Sequence, residues 1–79
     1  MIYVRVKLYG TLRRLSQPET PGLWVGEVPG GITVAGLLQW LGTRVEEAAA
    51  VLRNNVPCSL DTVLADGDEI VLVTPVGGG

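Results

Sequence analysis

The chain has 79 residues, of which 47% are hydrophobic and 18% are charged, and its formal net charge is −2 at pH 7. This length predicts one domain with a modest core, and the apolar content excludes a highly charged disordered chain. One cysteine and no histidine exclude a disulfide framework and zinc-ligand spacing, and the lack of a basic run argues against a nucleic-acid partner.

Membrane insertion and secretion are not expected from the sequence. No apolar run approaches the roughly 20 residues that a membrane helix needs. The first residues, MIYVRVKLYG, lack the basic-then-apolar order of a signal peptide. We therefore expect a cytoplasmic protein with no membrane partner.

Two strands are predicted on either side of a loop. In MIYVRVKLYG, apolar and polar side chains alternate, so a core face is expected to consist of Ile2, Val4, Val6 and Leu8. Leu12 and Leu15 have the spacing of one short helical turn. The prolines and glycine of QPETPG indicate a loop. LWVGEVPGG after it predicts the second strand, which Gly30 and Gly31 end.

The clearest helix signal is ITVAGLLQWLG, in which apolar residues recur at helical spacing, namely Val34, Leu37, Leu38 and Leu41. Thr33 suits the amino-terminal cap, and Gly42 suits the residue just after the helix. Because an interior glycine costs roughly 1 kcal/mol relative to alanine, Gly36 is expected to pack closely against the sheet. Trp40 lies off the apolar stripe and is expected to be half exposed. The next segment, TRVEEAAAVL, could continue helically for a turn or two.

The second half of the chain predicts further strands. AVLRNNVPC is typical of two strands joined by a tight turn, because Asn54 and Asn55 tolerate the positive φ of a type I′ turn. Asp66 and Gly67 form a strong turn signal before a last strand, EIVLVTPV. The element order predicts an α+β fold, a mixed sheet of four to five strands with one main helix packed on one face.

The last strand is apolar at every position from 70 to 73. Such a strand is either covered on both faces or part of an apolar patch that a partner covers. One helix covers only one face, which favours a patch for partner docking that contains Val71, Val73, Pro75 and Val76. On the opposite side, Ile70 and Leu72 are expected in the core with Ile2, Val4, Val6, Leu8, Leu37 and Leu41.

The carboxyl-terminal sequence is TPVGGG. After a domain of residues 1–76, Gly77, Gly78 and Gly79 are expected to form a flexible tail, slender enough to thread a narrow channel. Adenylation by ATP makes a terminal carboxylate reactive, and a sulfur nucleophile can then displace AMP and leave a thiocarboxylate. Because the chain has no phosphate-binding loop, it would be the substrate and carrier in this chemistry, with no catalytic residue and no bound cofactor of its own.

The segment LADGDEIVLVTPVGGG resembles the end of the ubiquitin-like sulfur carriers, which include the small subunit of molybdopterin synthase and the thiamine-biosynthesis sulfur carrier. The shared features are Leu64, the acidic turn at 66–69, the apolar strand, Pro75 with Val76, and the final glycines. VKLYGTLRRL is similar to the opening of the molybdopterin-synthase type. The chain departs from the family at Gly77, at Asn55 where many relatives have glycine, and at residues 17–27, which match nothing distinctive.

The resemblance implies a β-grasp fold and a carrier whose Gly79 is adenylated and then thiocarboxylated. The implied partners are a ubiquitin-activating-like adenylyltransferase that uses ATP and Mg, a persulfide sulfur donor, and the large subunit of molybdopterin synthase or a thiazole synthase. Two alternatives stay open: a thiamine-type or other thiolation carrier, and a β-grasp interaction module that is never thiolated.

Three other features have simpler interpretations. Cys58 has no histidine to act as its base, so a small apolar or inert role is expected. The acidic residues Asp66, Asp68 and Glu69 suit a tight turn better than a metal site, although the turn could contact the activating enzyme. Lys7 is the only lysine, which supplies few acceptors for a polymer-forming modifier.

Overall fold

The computed structural model describes residues 1–74 of the chain. These residues form eight secondary-structure elements. The β-strands and helices in chain order are β1 (Ile2–Leu8), a first 3₁₀ helix (Gly10–Leu15), β2 (Leu23–Val28), α1 (Val34–Trp40), a second 3₁₀ helix (Val45–Glu47), β3 (Ala50–Arg53), β4 (Val56–Pro57) and β5 (Glu69–Val73). The predicted helical extension after α1 is thus limited to one 3₁₀ turn, because the chain is already in β3 at Ala50.

The five strands form one mixed sheet in the order β2-β1-β5-β3-β4. β1 pairs antiparallel with β2 and parallel with β5, and β3 pairs antiparallel with both β5 and β4. The parallel pairing of β1 with β5 requires a long crossover, which contains α1. In this order β5 is the central strand, with β1 and β3 on either side of it.

The core lies between α1 and one sheet face. Its buried residues are Val4, Val6, Leu8, Leu12, Val28, Val34, Leu37, Leu38, Val51, Leu64, Ile70 and Leu72. Ile70 and Leu72 are both 0% exposed, so the predicted register of the last strand is confirmed. Ile2 and Leu41, which were expected inside the core, are only partly buried at its margin, because each lies at or near the end of its element.

The local turn and cap chemistry follows the sequence closely. Asn54 and Asn55 have φ values of 52° and 71°, as a type I′ turn requires. The Thr33 hydroxyl accepts a hydrogen bond from the Gly36 N–H at 3.1 Å, and Trp40 is 50% exposed. The expected contact of Gly36 with the sheet is wrong: a Cβ there would lie 2.8 Å from Ile32 Cγ1, so the close neighbour is the residue just before the helix cap.

Within residues 1–74, no helix combines the length and the hydropathy that crossing a membrane requires.

Candidate functional site: the open face of the sheet and the root of the tail

The sheet face opposite α1 carries the alternate side chains of each strand. In β5, Val71 and Val73 are half-buried while their neighbours Ile70 and Leu72 are buried, which confirms that the two valines point away from the core. Val71 lies between Lys7 of β1 and Leu52 of β3. The predicted docking residues Pro75 and Val76 lie outside the described residues.

Two residues of β3 extend the apolar surface. Leu52 is opposite Val71, and Ala50 is opposite Val73, so the four side chains share one face. We call this set, Ala50, Leu52, Val71 and Val73, the outer patch. Sequence reasoning missed Ala50 and Leu52, because the face of a short strand is determined by its pairing with β5, and β3 alone is too short to reveal it.

A cationic cleft adjoins the outer patch across β1. It has a volume of about 310 Å³, and the charged residues in its lining are Arg5, Lys7 and Arg13. Arg5 and Lys7 share the carboxylate of Glu69, at 3.8 Å and 3.5 Å respectively. Both contacts are long and exposed to water, so they contribute little to stability and leave the cations accessible.

The root of the tail is fixed at the end of β5. Leu72 O accepts a hydrogen bond from Tyr9 N–H at 3.1 Å, and Val73 O accepts one from Ala49 N–H at 2.7 Å. Thr74 lies against Gly10, whose φ is +63° and where an added Cβ would collide with the threonine hydroxyl. Position 10 therefore requires glycine for two reasons, backbone conformation and space. The predicted tail residues Gly77, Gly78 and Gly79 lie outside the described residues.

An ion pair joins the two 3₁₀ helices on either side of this root. The Arg14 guanidinium contacts both oxygens of Glu47 at 2.8 Å, and the Thr43 hydroxyl donates to the same carboxylate at 2.6 Å. The hydrogen bonds from Arg14 and then Thr43 lower the pKa of Glu47 from 4.5 to about 2. The carboxylate therefore stays ionised across the physiological range and keeps the two helices together.

The acidic turn before β5 is part of the framework of the fold. Asp68 is 5% exposed and accepts hydrogen bonds from Arg53 Nε at 2.7 Å, Ala65 N–H at 2.7 Å and Asn54 Nδ2 at 3.0 Å. Burial alone would raise the pKa of this carboxyl, but the three hydrogen bonds together hold the pKa below its ordinary value. Asp66 accepts from Tyr3 N–H at 2.8 Å. Of the three acidic residues, only Glu69 is directed at the open face.

The other sequence candidates contribute to packing. Cys58 is partly buried against the core and lines a second cavity of about 310 Å³ with Arg53, Val56, Pro57 and Thr62. Among the residues that the structure describes, no group of three or more histidine, cysteine, aspartate or glutamate side chains is arranged to hold a metal ion.

Comparison with known proteins agrees with this architecture. A model of the ThiS family matches residues 6–79. The structure of SAMP1 from Haloferax volcanii superposes with a TM-score of 0.71 and 25% identity over 98% of this chain and 99% of that one. A putative molybdopterin converting factor subunit 1 from Pyrococcus furiosus gives 0.71 and 24% over 96% and 100%. These matches confirm the predicted β-grasp fold. Among curated protein sequences, none matches this chain.

Proposed function

Because this chain belongs to the ThiS family of ubiquitin-like sulfur carriers, we propose that it carries sulfur as a thiocarboxylate on Gly79 for the biosynthesis of a sulfur-containing cofactor, with molybdopterin as the favoured product. The observation that carries this proposal is the family match, which continues through residue 79. The opening segment VKLYGTLRRL, which is similar to that of the molybdopterin-synthase type, is the reason for favouring that pathway over thiamine. The rival possibility, an interaction module that is never thiolated, uses the same open face without the chemistry.

The proposed chemistry takes place at the end of the tail, with the catalytic groups supplied by other proteins. The Gly79 carboxylate attacks the α-phosphate of ATP in an adenylyltransferase that holds ATP and Mg, and pyrophosphate leaves. The terminal sulfur of a persulfide then displaces AMP, and a thiol cleaves the resulting acyl disulfide to leave the thiocarboxylate. The large subunit of molybdopterin synthase would consume this sulfur.

The open face supplies the recognition surface in this proposal. Three side chains of the outer patch, Leu52, Val71 and Val73, are half-buried, and Ala50 is exposed. The sheet already orders these side chains, so a partner covers them at little cost in conformational entropy. The cationic cleft offers Arg5, Lys7 and Arg13 to an acidic segment of the same partner. Because Leu72 O and Val73 O fix the root of the tail beside both surfaces, docking of the face would aim the tail at the partner's active site.

A direct test is mass spectrometry after incubation with the adenylyltransferase of the same organism, Mg-ATP and a persulfide donor. We expect the mass to rise by one oxygen-to-sulfur exchange at Gly79. Cys58→Ser should be thiolated normally. Addition of one alanine after Gly79 should abolish transfer, because it moves the carboxylate by up to ~3.5 Å and an error on the order of 1 Å can cost ~100-fold in rate. Sulfur on Cys58, or normal transfer by the extended chain, would favour the interaction module.

The docking surface is tested separately with a matched pair of valines. Val71→Asp places a charge in the outer patch, whereas Val63→Asp places the same charge at a site that is 55% exposed and outside the patch. We expect Val71→Asp to slow adenylate formation at least tenfold and Val63→Asp to leave it unchanged, with both proteins folded by circular dichroism. Equal rates for the two variants would exclude the outer patch as the docking surface.

The pathway is tested with the thiocarboxylated protein as sulfur donor. We expect sulfur transfer to the precursor bound by a molybdopterin synthase large subunit. Turnover with a thiazole synthase alone would assign the chain to the thiamine-type alternative, and turnover with neither would point to another thiolation route.

A further inference from the structure

The strand β2 forms one edge of the sheet, and half of its backbone groups point away from β1. The Leu8 N–H donates to Gly22 O at 2.8 Å. Since the pattern alternates along an antiparallel pair, the backbone groups of Trp24 and Gly26 face β1. Those of Leu23, Val25 and Glu27 therefore face outward.

The segment before β2 occupies most of this outward edge. The Gln17 side-chain amide donates from Nε2 to Val25 O at 2.7 Å, and its Oε1 accepts from Val25 N–H at 3.2 Å. The Gln17 backbone N–H donates to Leu23 O at 3.2 Å, and Leu23 N–H donates to Thr20 O at 2.9 Å. One glutamine side chain thus takes the place of a neighbouring strand at Val25. Within the described residues, Glu27 is the outward residue of β2 whose backbone groups remain open.

The opposite edge of the sheet is formed by β4, which is protected from strand pairing in a different way. β4 contains only Val56 and Pro57, and proline has no N–H to offer a further strand. In the described sheet, β2 is therefore the edge long enough to pair with another strand. Exposed edges of this kind promote pairing between molecules, and proteins commonly cover them.

We propose that the Gln17 side chain blocks a strand-pairing surface on β2. Without this side chain, the surface would pair with β2 of a second copy of the same chain. About a two-fold axis at Gly26, Val25 of each copy lies opposite Glu27 of the other, and each such pair exchanges two backbone hydrogen bonds. This register leaves the loop in place at Leu23. It also puts Glu27 opposite a valine, so the two carboxylates are not directly opposed.

This inference gives residues 17–22 a role in keeping the chain monomeric, and the benefit of that role to docking rests on the function proposed above. Edge pairing would join the open faces of two copies into one continuous sheet, which places a second copy beside the surface proposed for docking. Gln17 prevents this because it satisfies Val25 within the molecule, which removes the unpaired groups that a second copy would bind.

The test compares the only two glutamines of the chain, at positions 17 and 39. Gln39 is exposed on α1, so Gln39→Ala is the matched control for Gln17→Ala. By analytical ultracentrifugation up to a concentration of about 1 mM, we expect the wild type and Gln39→Ala to be monomers. Gln17→Ala should form a dimer with a Kd at or below about 1 mM. A folded Gln17→Ala protein that stays monomeric at this concentration would overturn the proposal.

A second variant identifies the edge as the contact. Adding Val25→Pro to Gln17→Ala removes the Val25 N–H from both copies, so the double variant should return to a monomer. A dimer that survives this change would assign the contact to another surface and contradict the proposal.

If Gln17→Ala does not fold, amide hydrogen exchange in the wild type tests whether the Gln17 side chain protects the backbone of Val25. We expect the Val25 amide to be protected and the Glu27 amide to exchange rapidly. Exchange of Val25 as fast as that of Glu27 would show that the glutamine does not close the edge.

Discussion

The two faces of the sheet are built from the same strands but serve different purposes. On the face toward α1, Val4, Val6, Ile70 and Leu72 are all 0% exposed. On the other face, Val71 and Val73 are half-buried and lie next to accessible cations. Because successive side chains of a strand alternate between faces, one strand such as β5 contributes to both.

This difference separates stability from recognition along a single strand. The buried side chains supply most of the free energy of folding, since they lose their contact with water completely. The open side chains are already ordered by the sheet yet retain apolar area that a partner can cover. The two functions can therefore be changed independently by substitutions one residue apart.

The largest expected effect comes from truncation in the buried face. Leu72→Ala removes a fully buried side chain and leaves a cavity, so the free energy of unfolding should fall by about 2–5 kcal/mol. Val71→Ala, one residue away and half-buried, should cost about 1 kcal/mol or less. Urea titration followed by circular dichroism measures both. Equal losses would mean that the open face stabilises the fold as much as the core does.

A smaller contrast of the same kind is expected at the acidic turn. Asp68→Ala removes the buried carboxylate that accepts from Arg53, Asn54 and Ala65. Three part-buried donors then lose their acceptor, which should cost about 1–3 kcal/mol. Asp66 is exposed and accepts one hydrogen bond, from Tyr3, so Asp66→Ala should cost about 1 kcal/mol or less. Chemical denaturation of the two variants tests the ranking. A larger loss for Asp66→Ala would contradict the assignment of Asp68 as the buried anchor.

The sequence predicted the buried face better than the open one. Period-two alternation and the Asn54 and Asn55 turn are local signals, and local signals are sufficient to orient β1 and β5. The contribution of Leu52 to the outer patch depends on cross-strand register, which pairs residues that are distant in sequence. The contact of Gln17 with Val25 also depends on how the loop folds back onto β2. Nothing in the segment QPETPG predicts that the glutamine side chain will form the two hydrogen bonds to Val25 that a neighbouring strand would otherwise form.

A third prediction concerns the pH dependence of the link between the two 3₁₀ helices. The pKa of Glu47 is lowered from 4.5 to about 2 in the folded protein, so its ion pair contributes stability above pH 4.5. That contribution should be lost as the pH falls from 4.5 to about 2, because the unfolded chain binds the proton first. Glu47→Gln should flatten the pH dependence of the urea midpoint in this window. An unchanged slope would show that the Arg14 contact is too well screened by water to matter.

The smallest effect on stability is expected at Glu69, although its effect on recognition should be measurable. Its contacts with Arg5 and Lys7 are 3.8 Å and 3.5 Å long and partly exposed, so Glu69→Gln should change the free energy of unfolding by less than about 0.5 kcal/mol. The substitution nevertheless removes the carboxylate that contacts two of the three cations of the cleft. If an acidic segment of the adenylyltransferase docks there, association should become faster at low salt, and the gain should disappear at high salt as charges are screened.

Glu46→Gln, which removes an equal charge from the second 3₁₀ helix, outside the lining of the cleft, is the control for net charge alone. Stopped-flow association of both variants at several salt concentrations decides between the two. An equal acceleration in both variants would reduce the effect to net charge, and slower association of Glu69→Gln would mean that the cleft meets a cationic partner.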